Sequence, residues 1–186
     1  MNVNDVFEEY NKIKNINDLY YFMKKNIKYG FVSKIDNKKY RRDELNDDAF
    51  YDYMIVNGYY LQSPNELLKN RYGVCYDQIE LERKWLEDHN YNVHTFFSEY
   101  HNHGILIFEK DNKYYLMERS FPKHNGIYES DSLNGCFDIY IKMQKEEMKE
   151  KIDTINIYPY DKPKYGQGFY EFIDNSKKGK KITLKV

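Results

Sequence analysis

The first part of the chain alternates apolar positions at helical spacing with short polar breaks. Residues 3–27 predict two helices, because apolar side chains recur at helical spacing on both sides of a polar break at residues 15–17. Residues 28–32 then predict a short strand, and residues 35–38 predict a turn. The charged stretch at residues 41–48 is expected to be exposed.

Two further helices are predicted in the middle of the chain. Ser63 has the properties of an N-cap, Pro64 occupies the first helical position, and Glu66 completes a capping box. This helix is short. A longer helix is predicted from about residue 74 to residue 89, with Cys75 in its first turn and one apolar face.

The rest of the chain is rich in strand patterns. Apolar runs bounded by turn residues predict strands at residues 92–97, 103–109, 114–119, 155–158 and 182–186. A helix is also predicted within residues 130–151, most strongly over residues 139–151. Helices followed by a run of strands indicate an α+β fold with an antiparallel sheet. For 186 residues we expect a single domain, residues 1–186, with an N-terminal helical and hairpin part at 1–58 and a core at 59–186.

The composition is that of an ordinary globular protein. It is 41% hydrophobic and 32% charged, which excludes wholesale disorder. Because 29 Lys and Arg residues face 30 Asp and Glu residues, nothing in the net charge predicts binding to nucleic acid or to an anionic membrane. The 21 Tyr residues are spread along the chain, so they indicate a compositional bias, although some near Tyr29, Tyr59 and Tyr72 are candidates for lining a substrate groove.

The sequence lacks the usual motifs for export, for membrane insertion and for cofactor binding. The first residues lack the apolar segment of a signal peptide, and no stretch approaches transmembrane length. Two cysteines do not make a disulfide framework. We therefore expect a cytoplasmic protein with reduced thiols and no membrane or nucleic-acid partner. No phosphate-binding loop or EF-hand loop occurs, so no cofactor is predicted.

Cys75 points most directly to chemistry. It follows a glycine-containing loop, residues 70–74, and begins the predicted long helix. A cysteine in the first turn of a helix lies at the positive end of the helix dipole and near unpaired backbone N–H groups. Both favour the thiolate, and the N–H groups can also bind an oxyanion. The position predicts a nucleophile, while a lone cysteine is also compatible with a small core residue.

The strand pattern predicts two residues, His103 and Glu118, that could assist Cys75 as catalytic partners. Residues 110–113 form a turn sequence between two apolar strands. A two-residue loop and a four-residue loop give the same register, which places His103 opposite Ser120 and Ile105 opposite Glu118. His103 and Glu118 are then diagonal neighbours on one face, roughly 7–8 Å apart at Cα. A slip of one residue would place them on opposite faces.

Glu118 is unusual for its surroundings, because it lies in a strand whose neighbours are apolar on both faces. A buried carboxylate needs a partner. An imidazole N–H is a suitable one, since the carboxylate then holds the ring in one tautomer and stabilises the imidazolium. Cys75, His103 and Glu118 together predict a catalytic triad for acyl transfer.

Two alternatives remain open at this level. His101 has the same strand parity as His103, but His103 leads directly into the apolar strand and is preferred. The other alternative is a zinc site whose ligands are Cys75, His101, His103 and Cys136. By itself, Cys136 is expected to be a buried or partly buried thiol without a partner motif. No paired ligand spacing supports the zinc site, so no metal is predicted.

Three stretches of the chain agree in order and spacing with one known family. They are residues 73–77 around Cys75, residues 103–107 beginning with His103, and residues 115–118 ending with Glu118. In these stretches the chain resembles the transglutaminase-like superfamily of the papain-like fold group, in its small bacterial or phage members. The resemblance implies a papain/transglutaminase-like cysteine-nucleophile fold.

The resemblance also implies roles for single residues. Cys75 would be the nucleophile, His103 the general base and acid, and Glu118 the orienting carboxylate, where the family usually has Asp. The candidates for the oxyanion or substrate side are Gln62, Tyr76 and Gln78.

These roles imply a cysteine-dependent enzyme acting on an amide, most directly a peptide or isopeptide bond in a peptide or protein substrate. A thioester intermediate would be released by water in a hydrolase and by an amine in an acyltransferase. The alternative is a non-catalytic protein-interaction module on the same fold, because a fold does not determine the activity that it carries.

Overall fold

The structure, a computed structural model, describes residues 2–44, 47–147 and 152–186. The Cα positions form two compact units. The first contains Met1–Lys84 and Lys164–Phe172, and the second contains Trp85–Pro163 and Ile173–Val186. The sequence-based division of a single domain at residue 58 stays a prediction.

The helices of the first unit are α1 (Val3–Asn11), α2 (Ile16–Asn26), α3 (Asp47–Val56), α4 (Pro64–Asn70) and the start of α5 (Cys75–Asp88). α1, α2 and α4 each begin at a side-chain cap, provided by Asn2, Asn15 and Ser63. Ser63 and Glu66 form the predicted capping box at the start of α4. Arg71 ends α4 in the left-handed conformation, with φ 62°.

A small sheet packs with these helices in the first unit. Its strands are β1 (Lys28–Val32), β2 (Lys39–Arg41) and β3 (Tyr72–Gly73), in the order β2-β1-β3. β1 occupies the predicted range and runs antiparallel to β2 and parallel to β3. The pairing with β3 places Tyr29 beside Gly73. Gly73, which lies two residues before Cys75, is therefore held in place by a strand far upstream in the chain.

The second unit is built on a larger antiparallel sheet, which confirms the α+β fold. Its strands are β4 (Asn92–Ser98), β5 (His103–Lys110), β6 (Lys113–Glu118), β7 (Gly126–Ser130), β8 (Thr154–Pro159) and β9 (Ile182–Lys185). They lie in the order β7-β6-β5-β4-β8-β9.

The β5–β6 hairpin has the register that the turn sequence predicts. Lys110 pairs with Lys113, and the pairing continues to Leu106 opposite Met117. Asp111 and Asn112 form the turn with φ values of 51° and 61°. Two left-handed residues define a type I′ turn, whose twist matches that of the strands. Because this turn sets the register, it also determines which side chains of β5 and β6 lie on the same face of the sheet.

The core of the second unit lies between this sheet and α6 (Leu133–Glu147). The buried side chains of this cluster come from several strands and from α6: Phe96, Ile105, Ile107, Leu116, Cys136, Phe137, Tyr140, Ile141, Met143, Ile155, Ile157 and Leu184. Cys136 is fully buried among them, as expected from the sequence.

Several elements were not predicted from the sequence: α3, β2, β7 and α7 (Phe169–Ser176). α3 exposes the apolar residues Tyr53, Ile55 and Val56, so no amphipathic pattern marks it. α6 begins at Leu133, earlier than the strongest signal, and residues 148–151 of that prediction lie outside the described residues.

Two exposure predictions also need correction. Arg41 and Arg42, at the start of the charged stretch, are half-buried, while Asp43 and Glu44 are exposed as expected. Residues 45–48 of that prediction are not among those whose burial the structure describes. Glu80, expected away from the apolar face of α5, is buried and lies 3.2 Å from the Arg83 guanidinium. Within the described residues, no helix is both long and apolar enough to cross a membrane.

Candidate active site

Cys75 is the first residue of α5 and is buried, with 6% of its surface exposed. Its own backbone N–H belongs to the first helical turn, where N–H groups have no acceptor within the helix. The helix dipole is positive at this end. The local setting that the sequence predicts for this thiol is therefore present.

Buried polar side chains hold the backbone directly in front of Cys75. Each of three successive residues has one backbone group bound in this way: Tyr72 O accepts from Gln62 Nε2 (2.8 Å), Gly73 O accepts from Gln78 Nε2 (2.9 Å), and Val74 N–H donates to Asp77 Oδ2 (2.9 Å). Buried backbone groups that are bound in this manner do not require water. The segment in front of Cys75, which consists of the two-residue strand β3 and Val74, is thereby fixed.

The residues proposed for the oxyanion or substrate side have structural contacts here. The second amide atom of Gln62, Oε1, accepts a hydrogen bond from Asn70 Nδ2 across 2.8 Å. Tyr76 is buried with its ring against Phe172, at a centroid distance of 4.4 Å. The role of Gln62, Tyr76 and Gln78 in binding an oxyanion or substrate stays a prediction.

Asp77 is a buried carboxylate two residues after the nucleophile candidate. Oδ1 accepts the backbone N–H of Gln62 (2.8 Å) and the hydroxyl of Tyr59 (3.3 Å), while Oδ2 accepts the N–H of Val74. Burial raises the pKa of Asp77 to about 7, although the three donors oppose this shift. The carboxyl group therefore changes charge near neutral pH.

Gly73 allows Asp77 to approach the loop this closely. A Cβ at position 73 would lie 2.6 Å from Cδ1 of Leu67 and 2.8 Å from Cβ of Asp77. Both contacts are shorter than packed side chains tolerate. Glycine at this position is therefore required by the close approach of α4 and α5 to the loop.

Two tyrosines lie close enough to Cys75 to sense its charge. Burial raises the pKa of Tyr29 well above its usual value, and the charge of Cys75 adds to this effect. The pKa of Tyr59 is likewise raised by burial, with further contributions from Asp77 and Cys75. Both side chains therefore remain neutral hydroxyls near the thiol.

The second unit contains the His–Glu pair that the hairpin register predicts. Nε2 of His103 lies 2.9 Å from Oε2 of Glu118, and both side chains are almost fully buried. The other carboxylate oxygen accepts the backbone N–H groups of Ser120 (2.5 Å) and Phe121 (3.1 Å). Three donors thus fix the position of the carboxylate.

These donors decide the charge of Glu118. Burial alone would raise the pKa of this carboxyl group, but the charge and hydrogen bond of His103 and the two backbone N–H groups outweigh it. The pKa of Glu118 therefore lies below its usual value. At neutral pH the Glu118 carboxyl group is therefore ionised, and it accepts a hydrogen bond from Nε2 of His103.

Aromatic rings hold the imidazole of His103 in its plane. The ring of Phe121 lies at a centroid distance of 4.5 Å, and Tyr140 of α6 is parallel to the imidazole at 6.1 Å. His101, the alternative in sequence, is exposed in a short 3-10 turn with φ 58°. The structure thus brings His103, and not His101, onto Glu118.

Cys136 has the properties of a core thiol. Burial raises its pKa to about 11, which keeps it protonated at neutral pH. Within residues 2–44, 47–147 and 152–186, no three His, Cys, Asp or Glu side chains are grouped as metal ligands would be.

Sequence reasoning missed the role of Asp77. An acidic residue in the first turn of a helix is usually explained by the helix dipole, and its complete burial is visible only in the folded chain. The three-residue spacing from Val74, typical of a capping box, was the available signal.

The family assignment agrees with the α+β fold. The profile described as a transglutaminase-like domain matches residues 1–158, and the chain belongs to this family. No curated protein and no solved structure matches the chain.

Proposed function

We propose that the protein is a cysteine-dependent enzyme that cleaves or transfers an amide, with Cys75 as nucleophile, His103 as base and acid, and Glu118 as the orienting carboxylate. The observation that carries the proposal is the buried His103–Glu118 pair at 2.9 Å. A buried ion-pairing histidine is costly to retain for stability alone, since an apolar pair of similar volume is often as stabilising. An oriented imidazole is what general base catalysis requires.

The bond between His103 and Glu118 determines which ring nitrogen of His103 would exchange a proton with the thiol. Because Nε2 of His103 is bound by Glu118, the proton exchange with the thiol would run through Nδ1. The carboxylate holds this tautomer and stabilises the imidazolium when the proton arrives. Glu118 itself stays ionised, in agreement with its lowered pKa.

The position of Cys75 supports the nucleophile role. It begins the 14-residue helix α5, so its thiolate and the later oxyanion both lie at the positive end of the helix dipole. The preceding loop is held by three buried side chains. Such fixed geometry lowers the reorganisation that the reaction needs.

In the proposed reaction, the thiol proton of Cys75 passes to His103 as Sγ bonds to the substrate carbonyl carbon. The carbonyl oxygen becomes an oxyanion bound by helix N–H groups. The C–N bond then breaks, the leaving amine takes the proton from His103, and a thioester remains. Water or a second amine next attacks the thioester while His103 accepts its proton. The C–S bond breaks, and the proton returns to Sγ.

The test is the pH dependence of thiol alkylation. Iodoacetamide labelling of each cysteine is followed from pH 4 to pH 9 by peptide mass spectrometry. We expect rapid labelling of Cys75 at pH 5–6 that is lost in His103→Ala. His94→Ala is the matched control, because His94 also bonds a glutamate of the same sheet, Glu109, at 2.6 Å. Cys136 should label slowly throughout and serves as the internal reference.

The opposite result would identify a different class of protein. If Cys75 labels slowly and its rate rises only above about pH 8, as for an ordinary thiol, the non-catalytic interaction module replaces the enzyme as the proposed function.

For a reactive Cys75, incubation with casein and a fluorescent primary amine tests turnover. Incorporation of the amine indicates transfer. Without incorporation, casein fragments indicate hydrolysis of a peptide bond, and ammonia release indicates hydrolysis of a side-chain amide. Cys75→Ala is the blank.

A further inference from the structure

The three donors around the Asp77 carboxylate come from separate parts of the first unit. One is the backbone N–H of Gln62, in the segment before α4, and one is the N–H of Val74, the residue before the nucleophile candidate. The third is the hydroxyl of Tyr59. Asp77 is fully buried. A single carboxylate therefore ties the segment before α4 to the start of α5.

We propose that Asp77 is the positioning residue of the nucleophile: its ionised carboxylate binds the N–H groups of Gln62 and Val74 and so fixes the first turn of α5 that carries Cys75. This proposal rests on the proposed function of Cys75. Asp77 acts through the backbone and does not touch the reacting atoms.

The charge state of Asp77 matters for this role. Hydrogen bonds to an ionised acceptor are about twice as strong as those to a neutral one. Burial raises the pKa of Asp77 to about 7, so the carboxylate form is reached only as pH rises through neutrality. The strength of both backbone bonds, and the order of the first turn, then increase with pH over the same range.

The groups around Asp77 leave its charge uncompensated. The titratable neighbours are Tyr59 and Tyr60, whose pKa values are raised by burial and further by Asp77, and Cys75 and Tyr76 in its own helical turn. Within the residues described in full, no Lys, Arg or His forms an ion pair with Asp77. The carboxylate is therefore stabilised by the backbone N–H groups of Gln62 and Val74, the Tyr59 hydroxyl and the Gln62 side chain.

Tyr59 provides the matched variant. Tyr59→Phe removes the 3.3 Å hydroxyl bond and leaves both backbone bonds to Asp77 in place. Because it removes a donor to the charged form, it should raise the pKa of Asp77 further. Asp77→Asn instead removes the charge and turns one of the two oxygens into an amide nitrogen, which cannot accept from a backbone N–H.

The experiment measures the second-order rate constant of Cys75 alkylation from pH 5 to pH 9 in wild type, Asp77→Asn and Tyr59→Phe, with circular dichroism to verify folding. In wild type we expect a step with its midpoint near the Asp77 pKa of about 7. In Asp77→Asn the step should vanish and the rate at pH 8 should fall by about tenfold or more. In Tyr59→Phe the rate at pH 8–9 should persist, with the step at higher pH.

The outcomes separate this proposal from the function on which it rests. A wild-type Cys75 whose labelling rate rises only above about pH 8, as for an ordinary thiol, contradicts the proposed function. A reactive wild-type Cys75 with an unchanged profile in Asp77→Asn contradicts the positioning role alone, since a merely structural residue would change the melting temperature and leave the profile of the folded protein as it was. If Asp77→Asn does not fold, an unshifted step in Tyr59→Phe overturns the proposal.

Discussion

Glu118 receives the Nε2 proton of His103 on one carboxylate oxygen, at 2.9 Å, and two backbone N–H groups on the other. Both carboxylate oxygens of Glu118 are therefore hydrogen-bonded. The group that orients the imidazole is itself fixed by the backbone.

Replacing this carboxylate should impair catalysis without unfolding the protein. Glu118→Gln has one acceptor oxygen for donors on two sides, so either His103 or the backbone N–H groups of residues 120 and 121 lose a partner. We expect turnover to fall on the order of 10³-fold or more, and Cys75 labelling at pH 6 to approach that of His103→Ala. Glu109→Gln, which alters the pair with His94, is the control. Wild-type activity in Glu118→Gln would remove Glu118 from the site.

The two cysteines should respond differently to truncation. Cys75→Ala should abolish turnover with little change in the free energy of unfolding. Cys136→Ala leaves a small void in the apolar cluster of the second unit and should lower the free energy of unfolding by about 0.5–1.5 kcal/mol, as for loss of one buried heavy atom. Urea denaturation of both variants measures this. A loss of several kcal/mol in Cys75→Ala would indicate a core residue instead of a nucleophile.

Ionisation of Asp77 should destabilise the folded protein. Its pKa is raised from 3.8 to about 7 on folding, so the stability that the protonated form provides is complete below pH 3.8 and is lost as pH rises through 7. Between pH 5 and pH 8 the wild type should lose roughly 2–3 kcal/mol relative to Asp77→Asn, at about 1.36 kcal/mol per pKa unit. Urea unfolding of both proteins at the two pH values gives this difference. A difference independent of pH would show that the carboxyl titrates at its ordinary value.

The loop in front of Cys75 should not tolerate a side chain at position 73. Gly73→Ala introduces contacts of 2.6 Å with Leu67 and 2.8 Å with Asp77, so we expect a loss of about 1–3 kcal/mol and slower labelling of Cys75. Gly168→Ala is the matched control, because the nearest atom to its Cβ, the carbonyl oxygen of Tyr59, is 4.0 Å away. That variant should stay within about 0.5 kcal/mol of wild type. Equal effects in both variants would refute the close-approach explanation.

The predictable parts of this molecule are those encoded by neighbouring residues. The capping box at Ser63 and the hairpin at residues 110–113 have short-range signals, and each occurs where expected. The His103–Glu118 bond follows from the hairpin register alone. The helix that begins at Cys75 was also predicted, from its apolar face.

The unpredicted parts depend on contacts between distant residues. β7 is a five-residue edge strand, mostly half-buried, without alternation, and α3 exposes apolar residues. The buried state of Asp77 and Glu80 contradicts the usual preference of charged residues for the surface. Only the packing of the folded chain shows which polar residues are enclosed.

The type I′ turn at residues 111 and 112 has a consequence for the order of folding. His103 and Glu118 belong to one hairpin, so the entropy lost in bringing them together is that of a short loop. Hairpins of this kind form in about 1–10 μs, before contacts between distant segments. The loop at Cys75, by contrast, requires β1 and Gln62 to be in place. We therefore expect the His103–Glu118 pair to form early in folding, and the thiol of Cys75 to acquire its fixed position only when the long-range contacts of the first unit have formed.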